Sequence, residues 1–262
     1  MGKLTLSGLC KSFGAVAAVD GVSLTLHERE FMVLVGPTGC GKTTLLRLIA
    51  GVEKPDGGHI YLDGNRLNDI PIGRRGVQLI FQNYALWPHM RVHNPGRFSN
   101  LGFALKVRRW LPEAISQRVA AVMRRVGIGQ ELSSRFPNQL SAGQQQKVAI
   151  GRSMAIPPRV FLMDEPMSNI DPVAKRRVRA EIRRVHEEMG AISLLVTHDL
   201  DDAFQLADRI AVMREGRILQ VDEPERLCRE PNDPFVSDFL SAFDRARPPM
   251  RGRGGGEARP PA

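Results

Sequence analysis

No apolar stretch in this chain approaches the ~18 residues that a membrane-spanning helix requires. The N-terminus, M-G-K-L-T-L-S, lacks an apolar core of signal-peptide length. These two absences predict a chain that stays in the cytoplasm. Cysteine is scarce too: Cys10, Cys40 and Cys228 are far apart, odd in number and without metal-ligand spacing, which argues against a disulfide framework or a zinc site. What is present suits a globular α/β protein, since 262 residues with 42% hydrophobic content can build one large domain or two small ones. The net charge is +9, and part of it sits at the end: residues 245–262 hold five arginines and one glutamate among four prolines and four glycines. That composition predicts a disordered, solvated tail, with contact to anionic lipid or RNA as the alternative.

The most informative stretch is F-M-V-L-V-G-P-T-G-C-G-K-T-T from Phe31 to Thr44. Phe31 to Val35 form an unbroken apolar run that predicts a strand buried on both faces of a parallel sheet. Gly36 to Thr43 match G-x-x-x-x-G-K-[ST], and Leu45, Leu46, Leu48 and Ile49 then predict a packed helix. Gly36, Gly39 and Gly41 allow backbone amides to converge on a polyphosphate, and the following helix adds the positive end of its dipole. Lys42 supplies a charge for the β- and γ-phosphates, and the Thr43 hydroxyl is placed to ligate Mg²⁺. Cys40 inside the loop reads as a small residue, with oxidation sensitivity as the alternative.

Before this loop, Leu4, Leu6 and Leu9, then Val22, Leu24 and Leu26, alternate as two strands with turns near Gly14 and Gly21. Phe13 lies between them; an aromatic there can stack on a base, but its spacing alone favours a core phenylalanine. Residues 76 to 81 read as a strand that Gln82 follows directly, within reach of a metal or water or simply as a polar loop residue. Residues 85 to 157 change character: Ile115, Val119, Val122, Met123 and Val126 form one helical stripe between Pro112 and Gly127, and 93 to 100 read as an exposed loop. Ser141 and Gln144 fit a capping box, which puts a second helix N-terminus there.

Val160 to Met163 predict another buried strand, ending in Asp164 and Glu165. One carboxylate there can hold Mg²⁺ through water while the other orients an attacking water. Asp171 and Pro172 start a long helix with Val178, Ile182, Val185 and Met189 as its apolar stripe. Its opposite side, Lys175, Arg176, Arg177, Arg179, Arg183 and Arg184, reads as a solvated face, with nucleic-acid contact as the alternative. His198 stands just past the strand 192 to 196, where an imidazole can reach a γ-phosphate. Arg209 to Met213 and Arg217 to Val221 predict a final hairpin.

From residue 3 to about 241 this order of motifs resembles the ATP-binding subunits of ABC transporters. G-P-T-G-C-G-K-T-T is similar to the family's Walker A motif, V-F-L-M-D-E-P to its Walker B, L-S-A-G-Q to its signature, and S-N-I-D to its D-loop. I-F-Q-N-Y-A-L-W-P-H-M resembles the Q-loop of importers of sugars, polyamines, ferric iron and osmoprotectants, and T-H-D-L-D-D-A-F resembles the H-loop region. The resemblance implies an α/β P-loop NTPase with a RecA-like core, a helical subdomain at about 85–157 and a small antiparallel β-subdomain. It implies ATP and Mg²⁺ as ligands. Nucleotide contacts would come from Phe13, Gly36, Pro37, Thr38, Gly39, Cys40, Gly41, Lys42, Thr43 and Thr44, which turns Phe13 from a core residue into a base-stacking one. Thr43, Gln82 and Asp164 would serve the metal, and Glu165, His198 and Gln82 the chemistry. Ser141, Gly143 and Gln144 would act on ATP across a head-to-tail dimer, and Ala142 and Asp171 would also belong to the nucleotide-binding set.

The implied assembly is a homodimer, or a heterodimer with a second ATP-binding subunit, lying peripherally on the cytoplasmic face of the inner membrane. Membrane-spanning permease subunits and an extracytoplasmic substrate-binding protein would complete it, with no nucleic acid. Three features depart from the family pattern with a stated consequence. Ala142 replaces the first glycine of the signature pair, so its methyl can crowd the phosphate and slow hydrolysis. Gln145 replaces a common arginine, which alters a surface contact only. The 93–100 stretch is longer than usual in the region that meets the membrane partner. Asp222-Glu223 also departs from a frequent glycine, without a derivable consequence. No C-terminal β-domain of the sugar-importer kind is expected. The rival readings are a non-transport ABC ATPase acting in nucleic-acid or translation processes, and a transporter subunit with reduced turnover.

Overall fold

Alternating leucines build the first layer. In β1 (Lys3–Phe13) and β2 (Val16–His27), Leu4, Leu6, Leu9, Val22, Leu24 and Leu26 are all buried on one side of an antiparallel hairpin. The computed structural model describes residues 2–168 and 170–244; Asn169 of the D-loop motif and the basic 245–262 tail lie outside the described residues. The hairpin continues through β4 (Gly57–Leu62) and β5 (Asn65–Arg66) as a four-stranded sheet in the order β2-β1-β4-β5. Gly21 is not a turn as expected: it lies inside β2 at φ 63°, where the register with β1 shifts. A glycine that signals a turn in sequence here relaxes a bulge.

The second sheet has the order β10-β9-β3-β8-β7-β6. Its strands β3 (Phe31–Val35), β6 (Val77–Ile80), β7 (Val160–Asp164), β8 (Ile192–Val196) and β9 (Arg209–Arg214) run parallel, and β10 (Arg217–Asp222) returns antiparallel. β3 is buried on both faces. Phe31, Val33 and Val35 enter one apolar core, and Met32 and Leu34 enter the other. The second core also holds the leucines of the antiparallel sheet and Leu45, Leu46, Leu48 and Ile49 of α1 (Lys42–Ala50). The first holds Leu105 of α2 (Phe103–Val107), Val119 of α3 (Pro112–Arg125), Val148 of α4 (Ala142–Ala155), Ile182 of α5 (Pro172–Met189) and Ala203 of α6 (Leu200–Leu206). Leu227 of α7 (Pro224–Arg229) and Leu240 of α8 (Pro234–Asp244) complete it. Among the described residues no helix is long and apolar enough to cross a membrane.

Register decides what stands at the sheet's edge. Val196 pairs with Leu34 on one side and with Asp164 on the other, so the chain leaves β3, β7 and β8 from nearly the same rung. The glycine loop, Glu165 and His198 are the next residues out.

Two further sequence expectations need correction. The 93–100 stretch is exposed only in its middle, and Ser99 and Asn100 are fully buried. The Asn100 amide donates to the Trp87 and Met90 carbonyls at 3.1 and 2.9 Å and accepts from the Trp87 amide at 2.9 Å, satisfying backbone that the loop itself buries. The cationic row of α5 is likewise not a simple solvated face. Lys175 pairs with Asp199 at 2.6 Å, buried Arg179 meets Asp202 and Asp201 at 2.6 and 2.7 Å, and Arg183 meets Asp208 at 3.0 Å. The partners lie on or beside α6, so these charges fasten α5 to the segment that follows His198.

His186 of α5 fastens the same helix to the sheet. Its Nε2–H donates to the Arg29 carbonyl at 3.1 Å, which leaves Nδ1 to accept the Ser193 hydroxyl at 2.8 Å, and the ring meets Phe31 edge-on at 5.1 Å. Burial, reinforced by nearby Arg183, pushes this imidazole's pKa down. A depressed folded-state pKa means that the neutral ring's contribution is complete above the unfolded value of about 6.5 and is lost as pH falls through the folded value. Thermal melts between about pH 7.5 and about pH 5 should therefore show a smaller loss for His186→Gln than for the parent. Ser193→Ala should cost about 1 kcal/mol at the higher pH.

Candidate functional site

The glycine loop joins β3 to α1 between two neighbouring backbones. A β-carbon on Gly41 would collide with the Ala18 carbonyl of β2, and one on Gly36 with the Met213 carbonyl of β9. Gly39 has open space around it but sits at φ 82°. The Gly216 amide donates to the Cys40 carbonyl at 3.0 Å and fastens the loop from the β9–β10 turn. Gly41 is the N-cap of α1, which has no side-chain cap and no acidic residue in its first turn, and Gly41, Lys42, Thr43 and Thr44 line the adjoining cavity. The other end of α1 is held by Arg75, a residue that sequence reasoning missed. Its buried guanidinium donates to the Leu48 and Ile49 carbonyls at 3.2 and 3.1 Å, and burial lowers its pKa.

The Lys42 ammonium is held by the loop itself, donating to the Gly36 and Pro37 carbonyls at 2.7 and 2.8 Å with Cys40 Sγ at 3.7 Å. The Cys40 thiol is buried, and that burial pushes its pKa up. Thr43 Oγ1 donates to Asp164 Oδ1 at 2.9 Å. Asp164 is buried at the end of β7; burial raises its pKa and the Thr43 hydrogen bond opposes the rise.

Glu165 follows in a left-handed backbone conformation, φ 44°, at a cost of about 1 kcal/mol or more. Its amide donates to the Val196 carbonyl at 3.0 Å, holding the turn to β8. One carboxylate oxygen lies 3.1 Å from His198 Nδ1 and the other 3.5 Å from Gln82 Nε2. The result is a cavity of about 350 Å³ with Thr38, Gly39, Gly41, Lys42, Thr43 and Thr44 on one wall and Gln82, Glu165 and His198 on the other. Ala18, not singled out from the sequence, also lines it.

The remaining expected residues lie elsewhere. Phe13 is 49% exposed at the end of β1, with Lys11 Nζ 5.4 Å from its ring centre, so it is not a core phenylalanine. Ser141 and Gln144 make both halves of the capping box, at 3.3 and 2.9 Å, at the start of α4. Ser141, Ala142 and Gly143 are exposed, and with Gln144 and Asp171 they stand outside the cavity lining. Gln145 is more than a surface residue: its amide donates to the Pro137 and Leu140 carbonyls at 3.0 and 3.3 Å and braces the turn ahead of Ser141. Arg152, on the same helix, donates to the Tyr84 and Ala85 carbonyls at 2.9 and 2.7 Å. A lone arginine in the buried run Val148–Ala155 was the sequence signal for it.

The arrangement is an anion cradle facing a carboxylate–imidazole pair, suited to a polyphosphate and a water. Residues 19–168 match the family model described as ABC transporter. The chain is 44% identical over 240 residues to the sn-glycerol-3-phosphate import ATP-binding protein UgpC 1 of Rhizobium johnstonii, covering 92% of this chain and 63% of that protein. It is 43% identical over 240 residues to the alpha-glucoside transport ATP-binding protein AglK of Rhizobium meliloti, covering 91% and 65%. Against the maltose/maltodextrin import ATP-binding protein MalK of Salmonella typhimurium the identity is 42% over 242 residues, covering 92% and 64%. The chain thus spans less than two thirds of these relatives' length. Among solved structures it is similar to the dimeric structure of MJ0796, a bacterial ABC transporter cassette, with a TM-score of 0.74 and 27% identity over 84% of this chain and 98% of that one. A post-hydrolysis dimer of the same cassette bound to ADP and Pi gives the same values.

The glycine contacts set a graded expectation. In Gly41→Ala the methyl meets backbone that cannot yield, so titration with a fluorescent ATP analogue should show no saturable binding. Gly39→Ala should bind, with a stability loss of about 1 kcal/mol from its positive φ alone.

Proposed function

Because this chain belongs to the ABC transporter family, we propose that it is an ATP-hydrolysing subunit that energises a transporter of the importer kind. The observation that carries the reading is the shared edge of β3, β7 and β8, where the glycine loop faces the Thr43–Asp164 and Glu165–His198 pairs. The loop from Gly36 to Gly41 cradles the phosphates with Thr44, through the backbone N–H groups of its residues other than Pro37, which has none and shapes the turn instead. Lys42 exchanges its two loop carbonyls for phosphate oxygens. Glu165 orients the attacking water, His198 contacts the γ-phosphate, and exposed Phe13 offers a face to the base.

Mg²⁺ fits this donor set, because a hydroxyl and a carboxylate in contact are hard oxygen ligands. Among the described residues no cluster of three or more His, Cys, Asp or Glu could hold a metal alone, so nucleotide oxygens would supply the rest. Thr43, Asp164 and Gln82 would hold the ion. When bound, it neutralises phosphate charge.

Ser141, Ala142, Gly143, Gln144 and Asp171 stand outside their own copy's cavity lining, and the exposure of Ser141, Ala142, Gly143 and Asp171 suits contact with nucleotide on a second copy. The proposed unit is therefore a homodimer, or a heterodimer with a second ATP-binding subunit, closed by ATP and opened after hydrolysis. Three of the relatives are named as import or transport ATP-binding proteins, which supports an importer with separate permease subunits and an extracytoplasmic binding protein. The chain would sit at the cytoplasmic face of the inner membrane.

Lys42→Ala should lower ATP turnover by about 10²-fold or more, and Glu165→Gln should run as an ATP-dependent dimer on gel filtration. A Glu165→Gln chain that stays monomeric under ATP and turns over like the parent would overturn the reading. Turnover that rises with added RNA and collapses with salt would favour the nucleic-acid rival. Ala142→Gly should raise turnover by on the order of a few-fold, because it removes the methyl at the second nucleotide's phosphate.

A further inference from the structure

Gln82 reaches the cavity from a segment whose shape is set by another part of the chain. After β6 the backbone enters a tight turn in which Tyr84 and Ala85 both adopt the left-handed conformation, φ 60° and 42°, although neither is glycine. The Tyr84 amide donates back to the Phe81 carbonyl at 2.8 Å, and the Ala85 amide to Asn83 Oδ1 at 3.2 Å. The Tyr84 and Ala85 carbonyls converge on Arg152, at 2.9 and 2.7 Å. Its guanidinium also covers the Trp87 ring at 4.8 Å, and among the described residues no carboxylate pairs with it. Burial among carbonyls and aromatic surface lowers the Arg152 pKa to about 10, so the group remains charged at neutral pH. A flat fork that donates two parallel bonds and stacks on a ring is a task for arginine and not for lysine.

Arg152 is carried by α4, the helix whose first residues follow Ser141. Eleven residues of helix, about 16 Å, separate the exposed capping end from the guanidinium. Between them, buried Gln146 donates to the Pro166 carbonyl at 3.2 Å, next to Glu165. Gly151 lets α4 pack against Leu101 and Val122, where a β-carbon would already be tight at 3.1 Å. One helix thus touches the segment bearing Gln82, the segment bearing Glu165 and the exposed end at Ser141.

We propose that Arg152 is the positioning residue for Gln82, holding the Tyr84–Ala85 turn so that a shift of α4 at its Ser141 end is delivered to the Gln82 side chain. This rests on the ATPase reading for its consequence in turnover, but not for the clamp itself. The lever is the strained turn: its left-handed residues keep their shape while both carbonyls are held, and releasing the carbonyls lets the backbone relax.

The test uses the full chain with Arg152→Lys, Gln82→Ala and the double variant. Arg152→Lys should keep ATP-analogue affinity within about twofold, lower kcat by about tenfold and raise the Mg²⁺ concentration for half-maximal rate. The double variant should be no slower than Gln82→Ala alone, since the two residues act as one unit. A kcat for Arg152→Lys within about twofold of the parent, or losses that multiply in the double variant, overturns the proposal. A readout independent of turnover comes from Trp87 emission in a Trp110→Phe background: adding Mg²⁺ to the ATP-bound chain should shift it, and Arg152→Lys should abolish the shift. A parent that shows this shift without hydrolysing ATP would overturn the ATPase reading and support the clamp. Retention of the shift in Arg152→Lys overturns the clamp.

Discussion

Everything at the cavity depends on one rung of the parallel sheet, the one on which Val196 faces Leu34 and Asp164. β3, β7 and β8 are wholly buried, and their alternate side chains feed two separate cores. A slip of one residue in any of them would exchange the contents of those cores, so the register is fixed by apolar packing far larger than any contact in the cavity. The polar groups inherit that precision. The Thr43–Asp164 hydrogen bond and the Glu165–His198 contact follow from which residues stand at the end of β7 and just beyond β3, β7 and β8.

α1 is prepared in the same way at both ends. Arg75 places a buried cation over the carbonyls at its C-terminus, where the helix is electronegative, while the N-terminus is left without a side-chain cap. Gly36 and Gly41 allow the loop to lie against Met213 and Ala18, so the amides are held from outside as well as by the helix. The cradle is thus organised by backbone and by a distant arginine, with the Lys42 ammonium parked on its own loop.

The sequence made the strands and the site motifs legible because both are local. Phe31–Val35, Val160–Met163 and Ile192–Val196 are short, mainly apolar runs, and the glycine pattern, the Asp164-Glu165 pair and the Ser141–Gln144 capping box are read within a few residues. What stayed hidden connects residues far apart in the chain. Arg152 meets Ala85 across 67 positions, Arg75 meets Leu48 across 27, and Arg179 meets Asp202 across 23. Composition showed six cations on α5 but not the aspartates of the α6 region that neutralise several of them. Asn100 was hidden for the opposite reason: a polar residue in a turn-rich stretch looks solvated, yet it is buried because it substitutes for the water that its loop excludes.

With the role proposed for Glu165, its left-handed backbone sets stability and chemistry against each other at a single codon. Glycine or asparagine would relax that conformation, so a screen for heat resistance alone would favour replacing the carboxylate that faces His198. Consensus stabilisation of this scaffold should begin anywhere but at this position.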